Sequence, residues 1–203
     1  MTASATIAYD KRVHRIAFPL RSPLTETLVD PTDRVDLEAL LASTSVIESH
    51  RSGDRRIVAP DADYVGDLRE YVLAPFAYRS ASRFSDGSFG VLYAGETRET
   101  ALREVLSRLT RVYLDGRAPA QETRKQHLTL RIVAADRVDI RSKYAPAVDT
   151  AIYHPTDYTA ARSFGSSIRE RYPGLTYDSV RHRGGVCVGA FVPRIVSDAR
   201  LES

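Results

Sequence analysis

The 203 residues carry 29 Lys and Arg against 26 Asp and Glu, a net charge of +3, with 27% charged and 43% hydrophobic residues. Those proportions exclude a disordered chain, and the length suits one domain, residues 1–203, that buries its core without disulfides or metals. One cysteine, Cys187, rules out an intrachain disulfide, and the absence of an 18-residue apolar run or a basic-flanked apolar start makes a cytoplasmic, non-membrane protein the expectation.

In chain order, residues 13–18 read as a short strand containing Arg15, broken by Pro19, Pro23 and Pro31. Asp33 reads as an N-cap, and Val35, Leu37, Leu40 and Leu41 predict a helix over 34–45. Residues 48–67 are polar and irregular, a candidate surface loop, and a short helix follows over 67–78 with Pro75 to bend or end it. The stretch 82–95 opens as a Ser, Asp and Gly turn and closes as a buried strand. Thr97 then caps a helix with Glu99 in its first turn and an apolar stripe of Leu102, Val105, Leu106 and Leu109. After a linker-like loop at 116–125, strands are expected at 127–133 and 138–140, and a polar helix at 156–171 closed by Tyr172-Pro173-Gly174. Strands at 175–180 and 186–192 flank a turn at 181–185. The whole reads as a mixed α+β domain, too irregular for a doubly wound parallel sheet.

Common catalytic motifs are missing. There is no phosphate loop, no G-x-G-x-x-G, no C-x-x-C or H-E-x-x-H and no G-x-S-x-G, so a Walker or Rossmann nucleotide site, a protein-built zinc site and a serine hydrolase are all disfavoured. No metal is expected. The basic residues form no block of five, the longest clusters being Arg55-Arg56 and Arg181-His182-Arg183, which argues against direct nucleic-acid binding. The mild positive balance suits a modest anionic ligand or an acidic protein partner, and equally an ordinary soluble surface.

Polar residues at strand ends beside turns are placed to face a cleft. Arg83 at the mouth of the glycine-rich turn and Tyr93 and Ser179 at strand ends fit that description, Arg15 lies inside its strand, and Glu104 lies on the following helix. Spacing alone selects none of the five. A strand arginine commonly faces solvent, a strand tyrosine commonly lies in the core, and Glu104 falls off the leucine stripe, which by periodicity makes it exposed.

The run Ser82-Arg83-Phe84-Ser85-Asp86-Gly87-Ser88-Phe89-Gly90-Val91-Leu92-Tyr93-Ala94, with Glu99-Thr100-Ala101-Leu102-Arg103-Glu104, resembles the core of the RES family. So does Tyr177-Asp178-Ser179-Val180-Arg181-His182 with Gly184-Gly185, and His14-Arg15-Ile16 resembles the strand that opens such domains. The resemblance spans about residues 12–197. One departure is Leu106-Ser107-Arg108, where relatives often carry a His-Arg pair after the glutamate.

The resemblance implies an ADP-ribosyltransferase-like fold, a split mixed β-sheet with surrounding helices and an NAD-binding cleft. It implies the toxin of a bacterial type II toxin–antitoxin system that cleaves the nicotinamide–ribose bond of NAD⁺, the substrate, and passes ADP-ribose to a protein target, water or phosphate. By the same resemblance Glu104, Arg83 and Tyr93 are catalytic, and Arg15, Arg83, Tyr93 and Ser179 bind NAD⁺. The implied partner is an antitoxin with a DNA-binding helical part and a C-terminal segment that blocks the cleft; a cytosolic metabolic enzyme is a further target. The competing readings are a non-enzymatic nucleic-acid-binding module, resting on the pI near 9.1, and an inert interaction protein.

Overall fold

A computed structural model describes residues 5–17, 64, 66–116 and 125–202. The helix expected over 34–45 lies outside them, as do the loop expected over 48–67 through residue 63 and residues 117–124 of the next.

The described residues form strand β1 (Ala5–Ala17), helix α1 (Arg69–Ala77), β2 (Leu92–Gly95), α2 (Arg98–Gly116), β3 (Gln126–Asp139), a 3₁₀ turn (Thr150–Tyr153), α3 (Thr159–Ile168), β4 (Gly174–Asp178), β5 (Val186–Ala190), a second 3₁₀ turn (Pro193–Ile195) and β6 (Val196–Glu202). The α+β expectation holds. The sheet order is β1-β2-β5-β4-β3-β6, and β1 also pairs with β3, so five strands close a hydrogen-bonded ring with β6 on its edge. Among the described strands only β3 and β4 run parallel.

The spine is the antiparallel β1–β3 ladder, from Ala5 opposite Asp139 to Ala17 opposite Gln126, with one irregularity between Ile7 and Tyr9. In β3, Leu128, Leu130, Ile132 and Ala134 point into the core while Arg131, Val133 and Ala135 point out, the two-residue period of a half-buried strand. Each fully buried Leu or Ile contributes about 1.5–3 kcal/mol. The sequence divides β3 in two because Ala134-Ala135-Asp136 is poor in strand formers, yet pairing with β1 carries it through. The edge strand β6 was not anticipated; its Ser197, Asp198, Arg200 and Glu202 read as a polar tail, and charge is how edge strands avoid further pairing.

The helix expected over 67–78 forms as Arg69–Ala77 with Pro75 inside it, while two other helical expectations change. The helix expected from 156 begins at Thr159, where Asp157 accepts hydrogen bonds from the Thr159 amide (2.9 Å) and hydroxyl (2.7 Å), and ends at Ile168. On α2 half of the stripe is turned outward, with Leu102 41% and Leu106 50% exposed while Val105 and Leu109 are half-buried. The face against the sheet carries Thr100 and Ala101, both buried, and half-buried Glu104. Gly95 makes this possible, because a Cβ there would sit 2.7 Å from the Ala101 nitrogen. The helix packs close and polar side first.

Two apolar cores result. One gathers Val13, Val72, Leu73, Leu92, Leu130 and Ile132; the other gathers Phe84, Val138, Ile140, Leu175, Tyr177 and Cys187 and lies beneath the candidate site. Gly165 of α3 has no room for a Cβ against the Phe84 carbonyl, so α3 lies directly on the segment that carries Arg83.

Candidate functional site

Ser179 follows β4 at the mouth of the β4–β5 turn. Its amide donates to the Gly185 carbonyl (2.8 Å) and the Gly185 amide to the His182 carbonyl (2.8 Å); Gly184 takes the left-handed φ of +77° that suits glycine. The turn leaves the Ser179 hydroxyl fully used. Oγ accepts the amides of Arg181 (3.1 Å) and His182 (3.0 Å) and donates to Glu104 Oε1 at 2.6 Å. Two amides at its lone pairs fix the direction of the donated proton.

Cys187 of β5 lies below, with Sγ 3.7 Å from the same Oε1. Burial, then the nearby Glu104 carboxylate, push its thiol pKa well up, so it remains a protonated donor. Glu104 is thus held through Oε1 by an O–H and an S–H, and Oε2 has no hydrogen-bond partner among the described residues.

The same helix face secures the turn. Thr97 caps α2, its Oγ1 accepting the Thr100 amide (3.1 Å), and the two threonine hydroxyls lie 2.8 Å apart. Thr100 Oγ1 meets His182 Nδ1 at 2.9 Å, and His182 Nε2 lies 3.6 Å from Glu99. A Cβ on Gly185 would stand 2.8 Å from both His182 Nδ1 and Thr100 Oγ1, so glycine is what admits this contact.

The other candidates approach from the opposite side. The Tyr93 hydroxyl lies 2.9 Å from Ser82 Oγ and accepts the Phe84 amide at 2.9 Å; burial raises its pKa to about 12 against the lowering effect of those bonds. Arg15 Nη1 donates to the Tyr93 carbonyl (2.9 Å). Arg83 is 8% exposed; its Nη1 donates to the carbonyls of Ile152 (3.1 Å) and His154 (3.0 Å), and its guanidinium lies 4.4 Å over the Tyr158 ring. The buried Tyr177 phenol stands among Cys187, Tyr93, Glu104 and Arg83; its pKa is raised first by burial, then by the first three, and opposed by Arg83. All five sequence candidates are therefore brought into one region.

Sequence reasoning gave no role to Cys187, His182 or Thr100. One available signal was the spacing of Thr97, Thr100, Glu104 and Arg108, a polar stripe on α2 as regular as the leucine one. Among the described residues no group of three or more His, Cys, Asp or Glu side chains is placed to hold a metal, and no helix is long and apolar enough to cross a membrane.

These residues sit within a mixed α+β domain. The RES domain family matches residues 55–202, most of the chain, and the protein belongs to that family, whose members are associated with NAD use and toxin–antitoxin systems. Arg15 lies outside the matched span. No curated protein matches the sequence.

Proposed function

We propose that the protein is the toxin of a type II toxin–antitoxin pair, with an ADP-ribosyltransferase-like cleft that takes NAD⁺ and breaks its nicotinamide–ribose bond. The electron pair of the C–N bond leaves with the nicotinamide nitrogen, positive charge develops on the ribose, and an acceptor oxygen of water, phosphate or a protein side chain bonds to the anomeric carbon and loses its proton. The observation that carries this reading is the half-anchored glutamate. Ser179 and Cys187 hold Oε1 of Glu104, leaving Oε2 to accept a ribose hydroxyl and oppose the developing charge. A carboxylate fixed before the reaction does not have to reorganise during it.

Tyr93 and Arg83 serve as the wall behind the glutamate. Their polar atoms are bonded to Ser82, Phe84, Ile152 and His154, which shapes the pocket in which nicotinamide would lie. An antitoxin segment that enters the same cleft would silence the enzyme. A nucleic-acid-binding role gains little, because Arg12, Arg131, Arg141 and Lys11 are paired with Asp198, Asp10, Asp139 and Glu96 instead of forming a free basic stripe.

The test is NAD⁺ loss by the purified chain, with and without phosphate and with cell lysate. Glu104→Gln keeps an acceptor for Ser179, so the fold should survive while turnover falls about a hundred- to a thousand-fold, the cost of removing one preorganised charge contact. A folded Glu104→Gln protein that retains more than about a tenth of the parent rate, a loss of under about 1.4 kcal/mol, would sink the assignment. Phosphate dependence or labelled protein bands name the acceptor.

A further inference from the structure

β1 lies along one side of β3 from end to end, while the other side of β3 is shared. β6 pairs with it as far as Ile132, opposite Val196, and β4 takes over only at Val138, opposite Leu175. Residues 133–136 have no strand on that side among the described residues, and none of their backbone groups enters a turn or loop hydrogen bond. Amides and carbonyls of a strand point to both sides, so this stretch leaves part of its ladder unmade.

The gap is also a groove. A cavity of about 720 Å³ lies against residues 133–136, walled by residues 169–173, which lead into β4, and by residues 191–195, which lead into β6. That volume falls in the range of ligand clefts, about 300–1,000 Å³. None of the five candidate residues lines it, nor do Cys187, His182 or Thr100. The outer edge, β6, carries Asp198, Arg200 and Glu202, the charges that discourage pairing. Val133-Ala134-Ala135 carries none, and Val133 is 44% exposed. Short and recessed between two walls, this inner edge admits one extended segment and does not propagate a sheet.

The walls set the sign of what enters. Arg79, Arg169, Arg171 and Arg194 line the groove against two carboxylates, Asp136 and Glu170. Arg79 donates to the carbonyls of Phe76 (3.3 Å) and Ser88 (3.1 Å), and Arg169 lies 4.6 Å over the Phe89 ring with Glu170 at 3.9 Å. Arg171 lies 5.5 Å from the Tyr172 ring. The exposed side chains of Arg171 and Arg194 make no hydrogen bond or ion pair among the described residues.

We propose that this groove docks an extended acidic segment of a protein partner, which adds to β3 at residues 133–136 as a short strand. The segment's backbone supplies the missing ladder, an apolar side chain packs beside Val133, and carboxylates meet Arg171 and Arg194. The surface is separate from Glu104 and stands whether or not NAD⁺ is the substrate.

The experiment selects binders to the full chain from a random-peptide phage library. Binders should be enriched in Asp and Glu interspersed with apolar residues. The best of them, made synthetically, should bind the Arg171→Glu/Arg194→Glu protein about tenfold or more weakly than the parent, with affinity falling as salt rises. Both arginines are exposed, so the double variant should melt with the parent. Hydrogen exchange at the amides of residues 133–136 should slow when the peptide is bound, and N-methylation of alternate peptide amides should abolish binding. A library that yields no binder, binders without acidic enrichment, or equal affinity for parent and double variant overturns the proposal. Protection elsewhere with residues 133–136 unchanged places the peptide on another surface and overturns it too. An N-methylated peptide that binds as well as the unmodified one overturns the strand addition.

Discussion

The two ends of the β1–β3 ladder each enclose an arginine with unmade hydrogen bonds, and they differ in what surrounds the charge. Near one end, Arg137, fully buried and opposite Ile7, lies 3.5 Å over the Tyr9 ring, and one nitrogen donates to the Leu175 carbonyl at 3.2 Å. Its Nε and Nη1 are unpartnered, and burial lowers its pKa to about 10, but Tyr9, Asp139 and Glu96 oppose that shift. Near the other end, Arg15, opposite Leu128, has the same orphaned Nε and a second cation as its neighbour. An orphaned nitrogen is therefore not in itself the mark of a site. The protein offsets the burial of Arg137 with its own residues, whereas Arg15 has a second arginine acting in the same direction as its burial.

The sharpest way to break this contrast is to remove Arg137. Arg137→Ala loses the packing on Tyr9, the bond to Leu175 and a filled volume, and stability should fall by about 3–5 kcal/mol in denaturant unfolding. The stabilisation conferred by ADP-ribose on whatever remains folded should be unchanged. If Arg137→Ala instead costs under about 1 kcal/mol, the ordinary range for a surface change, and abolishes that ligand effect, the two ends have been assigned the wrong way round.

Ser179→Ala probes the opposite side of the site with a smaller expected effect. The substitution strips the Arg181 and His182 amides of their acceptor and releases Oε1 of Glu104. Turnover should fall about tenfold, near 1.4 kcal/mol, with stability reduced by about 1–2 kcal/mol. Steady-state kinetics and a melting curve on one preparation separate the two effects. A stability loss without any change in kcat would make Ser179 a turn residue only.

Much of this was legible in the sequence and some was not, for physical reasons. The cap at Thr97, the glycine turn before β5 and the alternation in β3 are local signals, and each element formed where those signals placed it. The orientation of α2 was not local. Its leucine stripe and its Thr100–Glu104–Arg108 stripe are equally periodic, and the choice between them was made by Gly95, a residue on another element with space for a close helix. Glu104 thus came from resemblance, while the periodicity that made it exposed chose the wrong face. Cys187 and His182 carry no motif of their own; they matter because strand register brings Cys187 opposite Tyr177 and the turn returns His182 to Thr100. Arg83 was visible as part of a motif, but nothing in the chain said that its Nη1 would be bonded to carbonyls about 70 residues away.

The smallest expected effect concerns the outer face of the same ladder. His14 Nδ1 and His127 Nε2 meet at 3.0 Å, with ring planes 24° apart and centroids separated by 5.2 Å, so edges and not faces are in contact. One nitrogen must carry the proton and the other must be bare. Both imidazole pKa values lie below the ordinary 6.5, chiefly through burial, then through His127 for His14 and through Arg98 for His127; Glu202 opposes, and for His14 Arg98 and Arg12 add to the lowering. Below about pH 6.5 the unfolded chain therefore binds protons that the folded pair resists, and stability falls as the pH drops. The carboxylates with lowered pKa, Asp10, Asp198 and Glu202 among them, add their own losses at lower pH, below their ordinary range. Replacing both histidines with glutamine should flatten the stability curve between about pH 6.5 and pH 4.5 and leave the more acidic limb in place. An unaltered slope in that window would mean that the pair stays neutral in both states, and that the outer face of the ladder responds to acid through its carboxylates alone.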